Sequence, residues 1–329
     1  MAGWQTNSRS ASTSQAHGHT DADEKGREPP QRVPWTFGSP CAGLDQGRVG
    51  AMRFEKWQAL GNDYLIIERQ ELPFELTAER VRRICAAHFG AHSDGILLLS
   101  PAEDPTHVAE LRIFNPDGSE AELSGNGARE AALYLRRSGW TDADEFSMLT
   151  ASGRVKPTIT GPGTASMELG RATTASKDYP SGDGHGRGKL EVGGRAWAFQ
   201  HVSVGNPQCA IEVDGSELGE LDLGAIGPEI ENHPLFPNRT NVSFWQARGS
   251  LVSARIFERG VGETLSSGTG AAGAAVAAHL RGTKSPITVQ LDGGELEVEI
   301  GANLELRLSG AAQPVFSGEF SPEFVRSIE

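Results

Sequence analysis

From residue 52 onward, runs in which apolar and polar residues take turns are separated by stretches rich in glycine and polar side chains. Tyr64–Ile67, Gly95–Leu99, Ala109–Phe114, Val289–Glu299 and Leu304–Leu308 predict strands, several with the in-and-out alternation of a half-buried sheet. Ala78–His88, Glu130–Ser138 and the alanine-rich Gly270–Leu280 predict helices. Asp178–Gly188 carries Gly182, Gly184, Gly186 and Gly188 among polar residues and predicts a surface loop. Short strands mixed with a few short helices point to an α+β fold.

Residues 1–51 break this pattern. They are Ser/Thr-rich, then mixed in charge, then proline-bearing, with few large aliphatic side chains to offset the entropy of ordering. A disordered extension is expected there; since Met52 begins the first strand-like run, a start codon assigned too far upstream is the alternative to a genuine tail. The segment lacks the apolar stretch of a secretory signal, and its acidic residues argue against a transit peptide.

The 329 residues are enough for two domains and a large core. The 30 basic and 43 acidic side chains leave a formal net charge of −13, which repels phosphate backbones and anionic lipid, so neither nucleic acid nor membrane is an expected partner. No apolar run approaches the roughly 18 residues of a membrane span. Cys41, Cys85 and Cys209 fit neither a disulfide framework nor a CxxC metal site, and a cytoplasmic location is expected.

An internal repeat carries the most information. Arg112-Ile113-Phe114 recurs 143 positions on as Arg255-Ile256-Phe257. At the same spacing Glu120 matches Glu263, Ser124 matches Ser267, and Gly125, Gly127 and Ala128 match Gly268, Gly270 and Ala271. Gly61-Asn62 recurs as Gly205-Asn206 at a spacing of 144. So long a period excludes a solenoid and suggests two related halves facing each other. Each unit runs strand, turn, then Ser-Gly-x-Gly-Ala into a helix. Serine is a favoured N-cap, and a helix start with free N–H groups attracts an anion. Two such starts across a cleft, with Ser124 on one side and Ser267 on the other, could hold one small acid; the plainer alternative is two ordinary caps with glycine for close packing. Asn115 heads an Asn-Pro-Asp-Gly turn that can satisfy it locally, and Glu258-Arg259-Gly260 stands at the matching place in the second half. His88, His92, His201 and His279 show no ligand spacing and read as structural. No Rossmann fingerprint or P-loop is present.

These motifs, in order, resemble the diaminopimelate epimerase family. The resemblance rests on Phe54–Tyr64, His88-Phe89-Gly90 with Asp94-Gly95, Phe114–Glu120, Ser124–Arg129 and Gly205-Asn206-Pro207. It continues through Gly227–Glu231, Phe236–Val242 and Glu258–Thr264. It implies two pseudo-symmetric α+β lobes, each a small sheet around a central helix, with the active site in the cleft between them. The first lobe would comprise residues 52–163 with 310–329, and the second 164–309. It also implies a cytoplasmic homodimer acting on a small amino acid in lysine and peptidoglycan-precursor synthesis, without metal or pyridoxal phosphate. Asn62, Asn115, Asn206 and Asn241 would bond the substrate, Gly125-Asn126 and Gly268-Thr269 would place N–H groups on its carboxylate, and Glu258 and Arg259 would line the pocket. Gly95 stands where some members have glutamine.

The departure from the family lies in the chemistry. Members use two cysteines, one on each face of the α-carbon, and here both positions are serine, Ser124 and Ser267. The family's histidine after Asn-Pro is replaced by Gln208, and the neighbouring Cys209 lies in a strand-like run and reads as core. Thiolate is reachable near neutral pH, whereas a serine hydroxyl needs a neighbouring base. The expected activity is interconversion of LL- and meso-diaminopimelate with Ser124, Ser267 and Glu258 catalytic. The alternatives are another acid–base isomerase or dehydratase on the same fold, and a non-catalytic binding homologue.

Overall fold

The computed structural model describes residues 52–329. The expected disorder of residues 1–51 lies outside the described residues.

The first half runs β1 (Met52–Ala59), β2 (Asn62–Glu68), α1 (Ala78–Cys85), β3 (Ile96–Ser100), β4 (Ala109–Phe114), β5 (Glu120–Ala121), α2 (Gly125–Arg137), β6 (Met148–Thr150) and β7 (Gly153–Val155). A hairpin of β8 (Pro157–Gly161) and β9 (Thr164–Arg171) leads to β10 (Arg187–Val192), β11 (Arg195–Ser203), β12 (Pro207–Glu212), α3 (Leu223–Glu231) and β13 (Asn241–Arg248). Then come β14 (Leu251–Glu258), β15 (Gly262–Thr264), α4 (Gly268–His279), β16 (Ile287–Leu291), β17 (Gly294–Ile300), β18 (Glu305–Ala311), β19 (Gln313–Phe320) and α5 (Pro322–Ile328).

Two sheets result. The 8-stranded one has the order β19-β1-β2-β3-β4-β6-β7, with β5 paired to β4. The 11-stranded one has the order β10-β11-β12-β13-β14-β16-β17-β18-β9-β8, with β15 paired to β14. The C-terminal strand β19 therefore returns to the first half, pairing antiparallel with β1. Helix α2 buries Ala128, Ala131, Ala132 and Leu135 against Trp57, Leu97, Met148 and Met167, so strands of both sheets cover it. Helix α4 is buried along nearly its whole length, from Gly270 to Ala278, as expected of a helix apolar on every side. The fold is α+β, with one wrapped helix in each half.

The repeat is structural. Helices α2 and α4 begin 143 residues apart, each preceded by a hairpin that an arginine staples: Arg112 holds Glu120 through Nε and Nη2 at 2.8 Å each, and Arg255 Nε holds Glu263 at 2.8 Å.

Several predicted boundaries move for identifiable reasons. Val289–Glu299 is not one strand but the hairpin β16–β17, turned at Asp292-Gly293. Helix α1 stops at Cys85, and Gly90 N–H then closes on Ala86 O in a turn that includes His88 at φ 67°. Helix α2 starts five residues before Glu130 because the Ser124 cap outweighs the poor propensity of Gly-Asn-Gly. Leu304 ends a short 3-10 turn before β18. Within the Asp178–Gly188 loop, Tyr179 turns inward against Phe199 and Phe236.

Candidate active site

Both repeated serines are N-caps. Ser124 and Ser267 have extended backbones, and their hydroxyls accept from the N–H of Gly127 at 3.1 Å and of Gly270 at 3.2 Å. A Cβ on Gly127 would lie 2.9 Å from Leu97 Cδ2, and one on Gly270 2.7 Å from Ile256 Cδ1. The plainer reading, caps plus glycine for close packing, thus describes part of what these residues do. The helices do not use the N–H groups of Gly125 and Asn126, or of Gly268 and Thr269, which remain free to meet a carboxylate.

What exceeds ordinary capping is how the helix starts meet. Asn126 Nδ2 donates to Ser266 Oγ at 3.1 Å, joining the first turn of α2 to the residue before Ser267. The same nitrogen lies 3.2 Å from Asn62 Oδ1, and Asn62 Nδ2 donates to Asp94 at 2.9 Å. Arg129, wholly buried, holds Asn126 Oδ1 at 2.6 Å and fixes which way that amide faces.

A second amide cluster belongs to the other half. Gln208 Nε2 donates to Asn206 Oδ1 at 2.8 Å, and Asn206 Nδ2 then donates to Thr269 Oγ1 at 3.2 Å. Asn241 donates to Pro207 O at 3.0 Å and accepts from the Arg259 N–H at 2.9 Å, placing its amide beside the Glu258–Arg259 turn. The Arg259 guanidinium is taken up by Asn238 O at 2.9 Å. Asn115 stands apart from these clusters: its Nδ2 donates to Ser119 Oγ at 3.0 Å within its own turn.

The electrostatics differ between the two serines. Glu258 is pushed above the ordinary carboxylate range by burial, while hydroxyl bonds from Thr264 and Ser267 pull the other way. On the other side, Tyr64 Oη donates to Ser124 Oγ at 3.2 Å. Burial pushes Tyr64 up to about 12, with the carboxylates of Glu130, Asp94 and Glu258 adding to the rise, so the phenol keeps its proton. Glu130 is wholly buried on α2 with neither carboxyl oxygen hydrogen-bonded, and burial raises it well above an ordinary glutamate. Cys209 is wholly buried in an apolar cluster with Ile211 and Phe244, and burial lifts its thiol well above the usual range. His201, also buried, bonds Ser176 at 2.9 Å.

Sequence reasoning missed Tyr64, Ser266 and Glu130. The signal for two of them was in the repeat. At the spacing of 144, Tyr64 faces Gln208, and at 143 Glu130 faces Gly273, so each is a polar or ionisable group lacking a like counterpart in the other half.

The sequence profile of the family described as diaminopimelate epimerase matches residues 54–175 and 200–313. Diaminopimelate epimerase 2 of a Nostoc species is 41% identical over 278 residues, covering 83% of this chain and 96% of its own. A diaminopimelate epimerase of a Synechococcus species is 38% identical over 278 residues, covering 81% and 97%. Among solved structures, a hydroxyproline epimerase from Agrobacterium vitis, with trans-4-hydroxy-L-proline bound, superposes with a TM-score of 0.55. At 17% identity, over 83% of this chain and 93% of that one, it shows a shared fold.

Proposed function

The chain belongs to the diaminopimelate epimerase family, and we propose that it interconverts LL- and meso-diaminopimelate by proton transfer at the α-carbon. The observation that carries this reading is the Asn126–Ser266 bond, which brings two serine-capped helix starts together across the halves. The N–H groups of Gly125-Asn126 and Gly268-Thr269 take the carboxylate next to the reacting carbon and stabilise the charge that develops when its proton leaves. Asn62, Asn206, Asn241 and Arg259 line the remainder, while Asn115 is held within its own turn. Ser124 and Ser267 serve opposite faces of the α-carbon. A hydroxyl is a weak acid that needs a base, and Glu258, made more basic by burial, is the base beside Ser267.

The relatives give no support to a different isomerase, a dehydratase or a non-catalytic binder. The wider reading places the enzyme in lysine and peptidoglycan-precursor synthesis in the cytoplasm, as a homodimer with lobes 52–163 plus 310–329 and 164–309. Among the described residues no helix is long and apolar enough to cross a membrane. The test is incubation with LL-diaminopimelate in deuterated water. Meso product bearing deuterium at the inverted carbon is expected, and absence of both product and wash-in would overturn the reading.

A further inference from the structure

The two halves share a stapled hairpin and a serine-capped helix start but not the neighbours of their serines. The position after Gly-Asn-x is Tyr64 in the first half and Gln208 in the second, and the two lie near the starts of strands β2 and β12, each pairing parallel with the next strand of its sheet. Tyr64 reaches its serine, while Gln208 turns to Asn206 instead. The position after the repeated Arg-Ile-Phe strand is Asn115 in the first half and Glu258 in the second. Asn115 bonds within its own turn, while Glu258 accepts from Thr264 Oγ1 at 3.1 Å and has its pKa pulled down by the hydroxyl of its serine. Each serine therefore has one protic partner, supplied from a different place in the repeat and of opposite protonation habit.

From this arrangement we propose that Tyr64 is a positioning residue that makes Ser124 the proton-delivering face of the site, with Ser267 and Glu258 forming the proton-accepting face. The assignment rests on the epimerase reading above. A hydroxyl oxygen has two lone pairs and one proton. At Ser124 both lone pairs are taken, by Tyr64 Oη at 3.2 Å and the Gly127 N–H at 3.1 Å. Its oxygen is closed to an incoming proton and its own proton is free to go to substrate. At Ser267 the Gly270 N–H at 3.2 Å takes one lone pair. Glu258, which accepts from Thr264 Oγ1 at 3.1 Å and whose pKa the Ser267 hydroxyl pulls down, is assigned as the acceptor of the serine's own proton, which leaves the second lone pair open.

The transfer balances. The Cα–H bond breaks towards Ser267 Oγ as the proton of Ser267 moves to a Glu258 oxygen, giving a carboxylic acid. The electron pair stays on the α-carbon and its carboxylate. On the opposite face a new Cα–H bond forms with the proton of Ser124, which Tyr64 replaces from its own hydroxyl, leaving a phenolate. One proton has moved from Tyr64 to Glu258, and exchange with solvent resets both. Burial makes the phenol the favoured form of Tyr64 between turnovers. The opposite stereoisomer runs the same transfers backwards from the proton-shifted form, in which Glu258 carries the proton and Tyr64 is the phenolate.

Tyr64→Phe isolates this role, because it keeps the buried ring and removes only the oxygen. With diaminopimelate in deuterated water, the wild type is expected to couple wash-in to inversion. The variant should lose inversion by about 100-fold or more in kcat with little change in KM. It should retain deuterium wash-in without inversion on the one stereoisomer whose hydrogen faces Ser267. Equal loss of wash-in and inversion would mean that Tyr64 merely supports the fold, and unchanged inversion would mean that it has no role; either overturns the assignment. If the wild type itself neither exchanges nor inverts, the epimerase reading fails and this one falls with it. Wild-type activity with an indifferent Tyr64→Phe variant removes only the present proposal.

Discussion

Glu130 offers a direct test of the electrostatics behind the site. It sits on α2 six residues after Ser124, wholly buried, with no hydrogen-bond partner on either oxygen. Burial raises its pKa well above the ordinary 4.5, the neighbouring Arg129 offsets this only in part, and Asp63 and Asp94 push it further up. The folded state thus holds a proton that the unfolded chain releases once the pH passes about 4.5. Where the unfolded state binds fewer protons, stability falls as pH rises, at about 1.4 kcal/mol per unit for one group. The contribution is fully present below the unfolded value and is lost progressively until the folded-state pKa is reached. Glu130→Gln keeps the shape and cannot ionise, so it removes this slope while leaving any constant cost of a buried amide. Above about pH 5 the wild type should lose stability relative to the variant, at up to about 1.4 kcal/mol per pH unit for as long as the fold keeps the Glu130 proton. Thermal or urea unfolding of both proteins across that range measures the difference. The carboxyls that shift the other way, such as Glu120, cancel in the comparison. Parallel curves for the two proteins would show that Glu130 is ionised in the fold and would refute the argument.

Two further outcomes are expected. A Cβ on Gly293 would lie 2.0 Å from Leu60 O and 2.9 Å from Leu265 O, both backbone atoms. Gly293→Ala should therefore prise the β16–β17 hairpin from the loops beside Ser267, costing about 3 kcal/mol or more in a melting experiment, and an unchanged Tm would contradict the close approach. Because burial raises Glu258 and a base must be deprotonated, epimerase kcat/KM should fall as pH drops through a midpoint above 4.5. A pH–rate profile checks this: the limb should vanish, with most activity, in Glu258→Gln, and a midpoint at or below 4.5 would remove Glu258 as the base.

The parts of the fold legible in the sequence were those set by local chemistry repeated twice. The Ser-Gly-x-Gly-Ala starts, the Arg-Ile-Phe strands and their offset predicted two related halves, and both helices begin where the serine caps place them. The β16–β17 hairpin was lost because alternation continues on either side of Asp292-Gly293, although Asp-Gly is itself a hairpin signal. The amide clusters were readable as residue types but not as contacts, since Asn126 and Ser266 are 140 residues apart. Tyr64 was hidden because an aromatic residue in a strand-like run looks like core. Core it is, at 5% exposure, yet its single polar atom reaches Ser124.

Why the duplicated frame should carry unlike neighbours follows from what the two serines lack. Proton exchange on opposite faces of one carbon needs one group ready to accept and another ready to donate at the same moment. A pair of identical thiols meets this need by titration alone, one ionised and one not, because the reference thiol pKa of about 8.5 lies close to neutrality. A pair of identical hydroxyls cannot, since neither ionises near neutral pH. The difference must then come from the surroundings, and the structure is unlike at those surroundings while its caps and stapled hairpins are alike. The stapled hairpins and both caps are shared by the halves, whereas Tyr64 faces Gln208 and Asn115 faces Glu258 in the repeat. A half-buried carboxylate beside one serine and a buried phenol at the other supply through neighbours the asymmetry that the serines themselves do not possess.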